Sequence, residues 1–176
     1  MVPMCRVIHP VVHAHDHPIP RRGSRLLRRG RHSEAGRIYL ITFATANRAP
    51  LLADWNGALA VSRVLYMPAI WSESRLLCWV LMPDHWHGLV ELGPQEDLSR
   101  LVRRLKGITS RKANQARERS GALWAEGFHD HALRAEEHVL DVARYIVLNP
   151  VRAGLVKRVG DYPFWDAVWI DQVHRG

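Results

Sequence analysis

The sequence has little cysteine and no long apolar segment, and each absence excludes a class of protein. Its 176 residues include only two cysteines, Cys5 and Cys78. Two are too few for a disulfide framework and favour a cytosolic protein. No apolar stretch approaches the roughly 20 residues of a transmembrane helix, and no signal-like apolar segment begins the chain. We therefore expect a single cytoplasmic domain that is long enough for a real hydrophobic core and makes no use of a membrane.

Acidic residues are also in the minority. The chain has 25 Lys and Arg against 17 Asp and Glu, a formal net charge of +8 and a pI of about 10.3. This balance favours a polyanionic partner, most simply nucleic acid. An acidic membrane surface would also attract the chain, but no basic amphipathic helix stands out as an anchor. The seven tryptophans are expected mostly in the core, although some could stack on bases.

Residues 1–36 lack hydrophobic periodicity. They contain several histidines and prolines and an arginine-rich run over residues 21–31. This composition predicts a disordered basic arm, followed by one domain at residues 37–176. The arm could bind DNA phosphates nonspecifically, or it could reflect a start of translation assigned too early. Both interpretations remain open.

The stretch from Cys78 to Val90 predicts two strands joined by a turn at Pro83-Asp84. Side chains alternate along a strand, so His85 and His87 should share a face, roughly 7 Å apart, with Trp86 on the other face. Two imidazoles so placed can bind one divalent metal ion. The alternative is a pair of surface histidines beside a turn.

A second group of polar residues lies downstream on a predicted helix at residues 136–149. Asp141, Tyr145 and Asn149 follow one another at intervals of four and should line one helix face. A tyrosine hydroxyl and a carboxamide oxygen one turn apart can reach a single point. Each residue alone could instead be a boundary tyrosine or a helix-end asparagine, since Pro150 follows Asn149.

Together these motifs resemble one known family. The resemblance rests on Leu81-Met82-Pro83-Asp84-His85-Trp86-His87, Lys106, the segment Trp124 to His131, and the segment Arg144 to Leu155. Their order and spacing are similar to those of REP-associated tyrosine transposases, which are single-tyrosine HUH transposases, over about residues 37–170. The resemblance implies that His85 and His87 are metal ligands, Asn149 is the third ligand and Tyr145 is the nucleophile. It also implies action on hairpins of repetitive extragenic palindromes, in the bacterial cytosol and near the nucleoid.

The predicted order of elements is β-α-β-β-α-β-α. It indicates an α+β fold, a ferredoxin-like split βαβ sandwich with an antiparallel sheet. The helices of that unit should cover one sheet face, and an extra C-terminal helix should place Tyr145 over the histidines. The expected strands are residues 38–45, 76–82, 85–92 and about 128–133. The expected helices are residues 54–67, 97–114 and 136–149.

The chemistry that these residues permit is cleavage and rejoining of single-stranded DNA. A tyrosine phenol can form a 5′-phosphotyrosine link and release a 3′-hydroxyl. Mg²⁺ or Mn²⁺ would polarise the phosphate, and imidazole ligands would favour Mn²⁺. Position and charge suggest DNA contacts for four basic residues, Arg103, Arg104, Lys106 and Arg152. Asp84 and Asp141 could support the metal site, but a turn residue and a surface charge explain them equally simply.

Other functions remain possible at this point. A domesticated relative could bind DNA hairpins without cutting them, with almost the same sequence. A zinc hydrolase using the two histidines would need a third ligand and a general base, and the sequence offers no convincing arrangement of either. The chain could be a monomer or a homodimer.

Overall fold

A computed structural model describes residues 34–134 and 137–169. Five strands lie in this part of the chain: β1 (Ile38–Ala44), β2 (Ser74–Met82), β3 (His85–Leu92), β4 (His129–Ala132) and β5 (Trp165–Ala167). Four α-helices accompany them: α1 (Trp55–Leu65), α2 (Leu98–Ala116), α3 (Val139–Val147) and α4 (Asn149–Arg152). Most of the predicted basic arm lies outside the described residues. Its last residues join the fold, since the Gly36 amide donates to the Leu92 carbonyl at 2.7 Å.

All five strands form one antiparallel sheet in the order β4-β1-β3-β2-β5. The first four strands have the order of a split βαβ unit, so the predicted ferredoxin-like fold is confirmed. β3 lies at the centre, with the β2–β3 hairpin joined by the predicted Pro83-Asp84 turn. β5 was not predicted. Its three residues, Trp165 to Ala167, pair with Cys78 to Val80 and extend the sheet beyond β2.

The sheet buries both of its faces. On one face, Tyr39, Ile41 and Phe43 of β1 pack in a hydrophobic cluster that also contains the apolar stripes of α1 and α2. On the other face, a second cluster joins β2 to Ala143 and Ile146 of α3. The α1–α2 layer and α3 therefore lie on opposite sides of the sheet, and α3 is the predicted extra helix.

The ends of the helices follow from local capping. Asp54 and Asp97 stand before α1 and α2, and their carboxylates accept the amides of Gly57 at 2.7 Å and Arg100 at 2.8 Å. Such caps satisfy amide groups that the first helical turn leaves unpaired.

α3 is shorter than predicted, because it ends at Val147 and Asn149 begins the short helix α4. No helix in the described ranges has the length and apolarity needed to cross a membrane.

The packing of Trp86 makes the fold sensitive to one methyl group. A Cβ at Gly88 would lie 2.0 Å from the ring of Trp86, which is fully buried. Gly88→Ala should therefore lower the free energy of unfolding by about 1–3 kcal/mol, because the indole has nowhere to move. Chemical denaturation measures this change.

Gly107 provides the matched control. A Cβ there would meet nothing within 4 Å, and alanine is favoured over glycine in a helix interior by about 0.8–1.0 kcal/mol. Gly107→Ala should therefore stabilise the protein. Equal stability of Gly88→Ala and the wild type would contradict the packing described here.

Candidate active site

The two histidines begin β3 and lie on the α3 side of the sheet. Trp86 between them points to the α1–α2 side, where its ring stacks on Phe43 with a centroid distance of 4.9 Å. The indole also occupies the space above Gly88. Alternation along the strand then leaves His85 and His87 on the opposite face. Their ring centroids are 4.5 Å apart and the rings are nearly perpendicular.

Each imidazole is oriented by a neighbouring side chain. The Nδ1 atom of His85 lies 2.6 Å from Oδ1 of Asp84, and Nδ1 of His87 lies 2.7 Å from the hydroxyl of Thr42. Both Nδ1 atoms are therefore engaged, and both Nε2 atoms are left for a ligand. A carboxylate or hydroxyl behind an imidazole is the usual support of a metal-binding histidine.

The electrostatics favour a neutral His87. Its burial, together with the nearby His85 and Arg48, lowers the pKa of His87 to about 3. The ring is therefore unprotonated near neutral pH, which metal ligation requires. Burial by itself would raise the pKa of Asp84, but its hydrogen bond to His85 and the charges of His85 and Arg48 outweigh burial and lower this pKa. Asp84 is thus a carboxylate that can hold the His85 ring.

The segment after β1 was not expected to contribute to the site. Asn47 and Arg48 both have left-handed backbone conformations, with φ of 56° and 52°. Such conformations cost on the order of 1 kcal/mol each outside glycine. They place the Arg48 guanidinium 3.5 Å from Asp84. No pattern in the sequence indicated the ion pair between Arg48 and Asp84, or the hydrogen bond between Thr42 and His87.

Tyr145 lies on the exposed side of α3, while Ala143 and Ile146 anchor that helix to the sheet. The Tyr145 side chain is 44% exposed. The guanidinium of Arg152 stacks over its ring at 4.2 Å from the centroid, a cation–π contact that restrains the ring. No described residue forms a hydrogen bond to the Tyr145 hydroxyl, which is therefore accessible to a substrate.

The other three tyrosines do not offer a comparable hydroxyl. Tyr39 is buried and its hydroxyl accepts the Glu34 amide at 3.0 Å. Tyr162 donates to the Leu81 carbonyl at 2.6 Å, and burial raises its pKa. Tyr66 is exposed, but its ring lies 5.8 Å from that of Trp79, which packs on the α1–α2 side of the sheet and not on the side of the histidines. Partial burial and Asp166 also raise the pKa of Tyr66 to about 12. Tyr145 is thus the best candidate for a nucleophile.

Asn149 follows the end of α3 rather than lying within it. Its side-chain nitrogen donates to the carbonyls of Tyr145 and Ile146, each at 2.9 Å. The carboxamide therefore has the helix-end role that the sequence left open. Because the nitrogen is occupied, the oxygen Oδ1 is the atom left for a ligand.

This donor set fits a six-coordinate divalent ion better than a closed zinc site. Within the described ranges, no group of three or more His, Cys, Asp and Glu side chains could hold a metal ion. Two imidazoles and one carboxamide oxygen would leave positions for phosphate and water, as Mg²⁺ and Mn²⁺ require. Among the described residues, the histidine pair therefore has no third imidazole, thiolate or carboxylate of the kind that a closed zinc site uses.

The four basic residues predicted to contact DNA lie in four different environments. Arg103 is exposed on the outer side of α2. Arg104 is partly buried, paired with Glu96 and bonded to the Ile70 carbonyl at 3.0 Å. Lys106 donates to the carbonyls of residues 125 and 127, each at 2.6 Å, and so ties α2 to the segment before β4. Only Arg152 lies beside the tyrosine.

Comparisons with known proteins identify the family of this chain. Residues 35–149 match the family described as "Transposase IS200 like". The chain is 31% identical over 87 residues to the REP-associated tyrosine transposase of Escherichia coli K12, covering 49% of this chain and 50% of that protein. It is 28% identical over 102 residues to a putative REP-associated tyrosine transposase of Haemophilus influenzae, covering 52% and 57% respectively. The chain thus spans about half the length of these curated relatives.

A solved structure extends the similarity to most of the fold. It is a REP-associated tyrosine transposase bound to a REP hairpin, with a TM-score of 0.62 and 25% identity over 83% of this chain and 84% of that one. The family match covers the histidine pair, the tyrosine and Asn149. The chain therefore belongs to the IS200-like transposase family and resembles, within it, the REP-associated tyrosine transposases that its motifs predicted.

Proposed function

We propose that this protein cleaves and rejoins single-stranded DNA at hairpin-bearing, REP-like sequences, through a covalent link to Tyr145. The observation that carries the proposal is the oriented pair His85 and His87, on the same sheet face as the helix of an accessible tyrosine. A hairpin substrate is supported by the similar transposase that was solved with a REP hairpin. Action in the cytoplasm, as a monomer or a homodimer, belongs to the same proposal.

In this mechanism the Tyr145 oxygen attacks the scissile phosphorus. The bond from phosphorus to the 3′-oxygen breaks, and the phenol oxygen takes its place as a 5′-phosphotyrosine. The phenol loses its proton and the departing 3′-oxygen gains one. Because one phosphoester replaces another, the step can be reversed with a new 3′-hydroxyl and the strand rejoined without ATP.

The metal site would be held by His85 and His87 through Nε2 and by Asn149 through Oδ1. A bound Mg²⁺ or Mn²⁺ would supply Lewis-acid polarisation of the phosphate. Asp84 and Thr42 would hold the imidazole rings in place before the substrate arrives. Arg152 is stacked on Tyr145. It would restrain the tyrosine ring and lie close to the phosphate that Tyr145 attacks.

Replacing Tyr145 tests the nucleophile. Tyr145→Phe keeps the ring and its contact with Arg152, so stability should change by less than about 0.5 kcal/mol. Cleavage of a hairpin-bearing oligonucleotide and the covalent protein–DNA product should both be lost, while hairpin binding persists. Denaturing gels with Mn²⁺ present and a binding assay measure these outcomes.

Tyr162→Phe is the matched control. It removes a hydroxyl that bonds to the Leu81 carbonyl, so it should cost about 1 kcal/mol of stability and leave cleavage intact. Undiminished cutting by Tyr145→Phe would refute the proposed mechanism. If the wild-type protein binds the hairpin but never forms the covalent product, the alternative holds, and the protein binds DNA hairpins without cutting them.

Replacing the histidines tests the metal site. His87→Ala or His85→Ala should abolish Mn²⁺ binding, measured by calorimetry, and cleavage, while much of the hairpin binding remains. Thr42→Val keeps both rings but frees Nδ1 of His87, so Mn²⁺ affinity should fall by only about 10–100-fold. Loss of the fold in both histidine variants would instead identify the two residues as structural.

Replacing Asn149 separates metal ligation from helix capping. Asn149→Ala removes the ligand oxygen and the donor to Tyr145 and Ile146, so it should lose stability and activity together. Asn149→Asp loses the donor but keeps an oxygen for the metal. High Mn²⁺ should therefore restore most activity to Asn149→Asp, part to Asn149→Ala and none to Tyr145→Phe. Equal failure of the two Asn149 variants at high Mn²⁺ would contradict the ligand role.

A further inference from the structure

The outer surface of α2 contains an open groove of about 400 Å³. Its lining consists of four arginines around a glycine and an isoleucine: Arg100, Arg103, Arg104, Gly107, Ile108 and Arg111. We refer to it as the arginine groove. At 3.6 residues per turn these positions occupy one side of the helix. That side is opposite the buried stripe of α2, which packs on the sheet.

Most of the charge of this surface has no ion-pair partner among the described residues. The sequence of α2, from Leu98 to Ala116, contains no acidic residue. Among the described residues, no carboxylate forms an ion pair with Arg100, Arg103 or Arg111; the only ion pair to a groove residue joins Arg104 to Glu96. Arginines three and four residues apart on a helix repel one another. A bound anion would remove this repulsion.

Gly107 forms the floor of the arginine groove and has no packing reason to be glycine. Glycine is disfavoured in a helix interior, and a Cβ at Gly107 would meet nothing within 4 Å. A conformation that requires glycine is also absent, because the residue is helical. In proteins generally, glycine is also used where the backbone must come close to a ligand. The open floor between guanidinium groups therefore has the shape and charge of a site for phosphate.

One wall of the groove is already fixed in place. Arg104 is bonded to Glu96, whose side chain is 2% exposed, and to the carbonyl of Ile70. Its position does not depend on a ligand. Arg103 and Arg111 are exposed. They can reach the phosphates of a nucleic-acid backbone that passes over Gly107.

The groove is far from the candidate active site. α2 lies on one face of the sheet, and His85, His87 and α3 lie on the other. A helix with its side chains is roughly 10 Å across, so the whole thickness of α2 and the sheet separates the groove from the histidines. A phosphate held in the groove cannot be the phosphate that Tyr145 attacks.

We propose that the arginine groove binds the phosphate backbone of a second DNA segment, such as a hairpin stem, while the strand to be cut lies at the histidines. This inference rests on the proposed function in taking DNA as the partner. Its test is binding without added metal, so that it does not depend on cleavage. Failure of the proposed cleavage would leave the binding result interpretable.

The first experiment compares two charge-matched double variants. Arg103→Ala with Arg111→Ala removes two groove charges, and Arg75→Ala with Arg119→Ala removes two exposed charges elsewhere. Fluorescence anisotropy measures binding of a hairpin with a single-stranded tail and of the tail alone. Two lost phosphate contacts should reduce the slope of log affinity against log salt concentration by about two. Between about 50 and 200 mM salt, the wild type should therefore lose roughly tenfold more affinity for the hairpin than the groove variant does.

The control pair should keep the wild-type slope, and neither variant should alter binding to the tail alone. An unchanged hairpin slope in the groove variant would overturn the proposal. Equal weakening on hairpin and tail would also overturn it, since the groove would then not hold a separate segment. Reduced binding to phosphatidylserine vesicles with unchanged DNA binding would assign the groove to a membrane surface instead.

The second experiment places a carboxylate on the groove floor. Gly107→Glu introduces a strong helix former that can pair with Arg103 and Arg111, four residues away on either side. It should raise the melting temperature and at the same time lower the affinity for the hairpin. Gly107→Ala should raise the melting temperature with a smaller effect on affinity. A stabilised Gly107→Glu protein with wild-type hairpin affinity would exclude the groove as a DNA site.

Discussion

The placement of one indole ring determines which face of the sheet can hold the active site. Trp86 is fully buried, stacks on Phe43 and covers Gly88, on the side of the sheet that α1 and α2 occupy. A strand that slips by one residue moves every side chain to the other face. With the indole fixed by packing, the histidines on either side of it lie on the sheet face that α3 covers. A core contact thus sets the position of residues that have no core role.

The fold was largely predictable from the sequence, because its signals are local. The β2–β3 hairpin follows from two apolar runs around Pro83-Asp84, and α2 follows from a regular apolar stripe. β5 was not predictable, because a three-residue strand such as Trp165 to Ala167 has no period of its own and forms only against the edge of β2. The end of α3 was also missed, since the helical pattern continues to Asn149 while the regular helix ends at Val147 and Leu148 has a ψ of −1°.

For the candidate site, the main residues were predictable from the sequence, but the contacts that support them were not. Residue type and spacing identified the histidines, Tyr145 and Asn149, whereas their supporting contacts come from distant parts of the chain. Thr42 reaches His87 across a strand pair, and Arg48 reaches Asp84 through two left-handed residues. Charge alone grouped Arg103, Arg104, Lys106 and Arg152, yet the fold keeps only Arg103 and Arg104 together, in the arginine groove. Lys106 is bonded to backbone carbonyls and lies over the Phe43 ring at 5.6 Å, an arrangement that no count of charges indicates.

Cys78 lies in the hydrophobic cluster between the sheet and α3, the helix that holds Tyr145. Burial raises the pKa of its thiol to about 12, so the thiolate that reacts with alkylating reagents is scarce while this face stays closed. Separation of α3 from the sheet would expose the sulfur and restore its reactivity. The rate of alkylation at Cys78 in the native protein would therefore report how often α3, the helix that holds Tyr145, separates from the sheet.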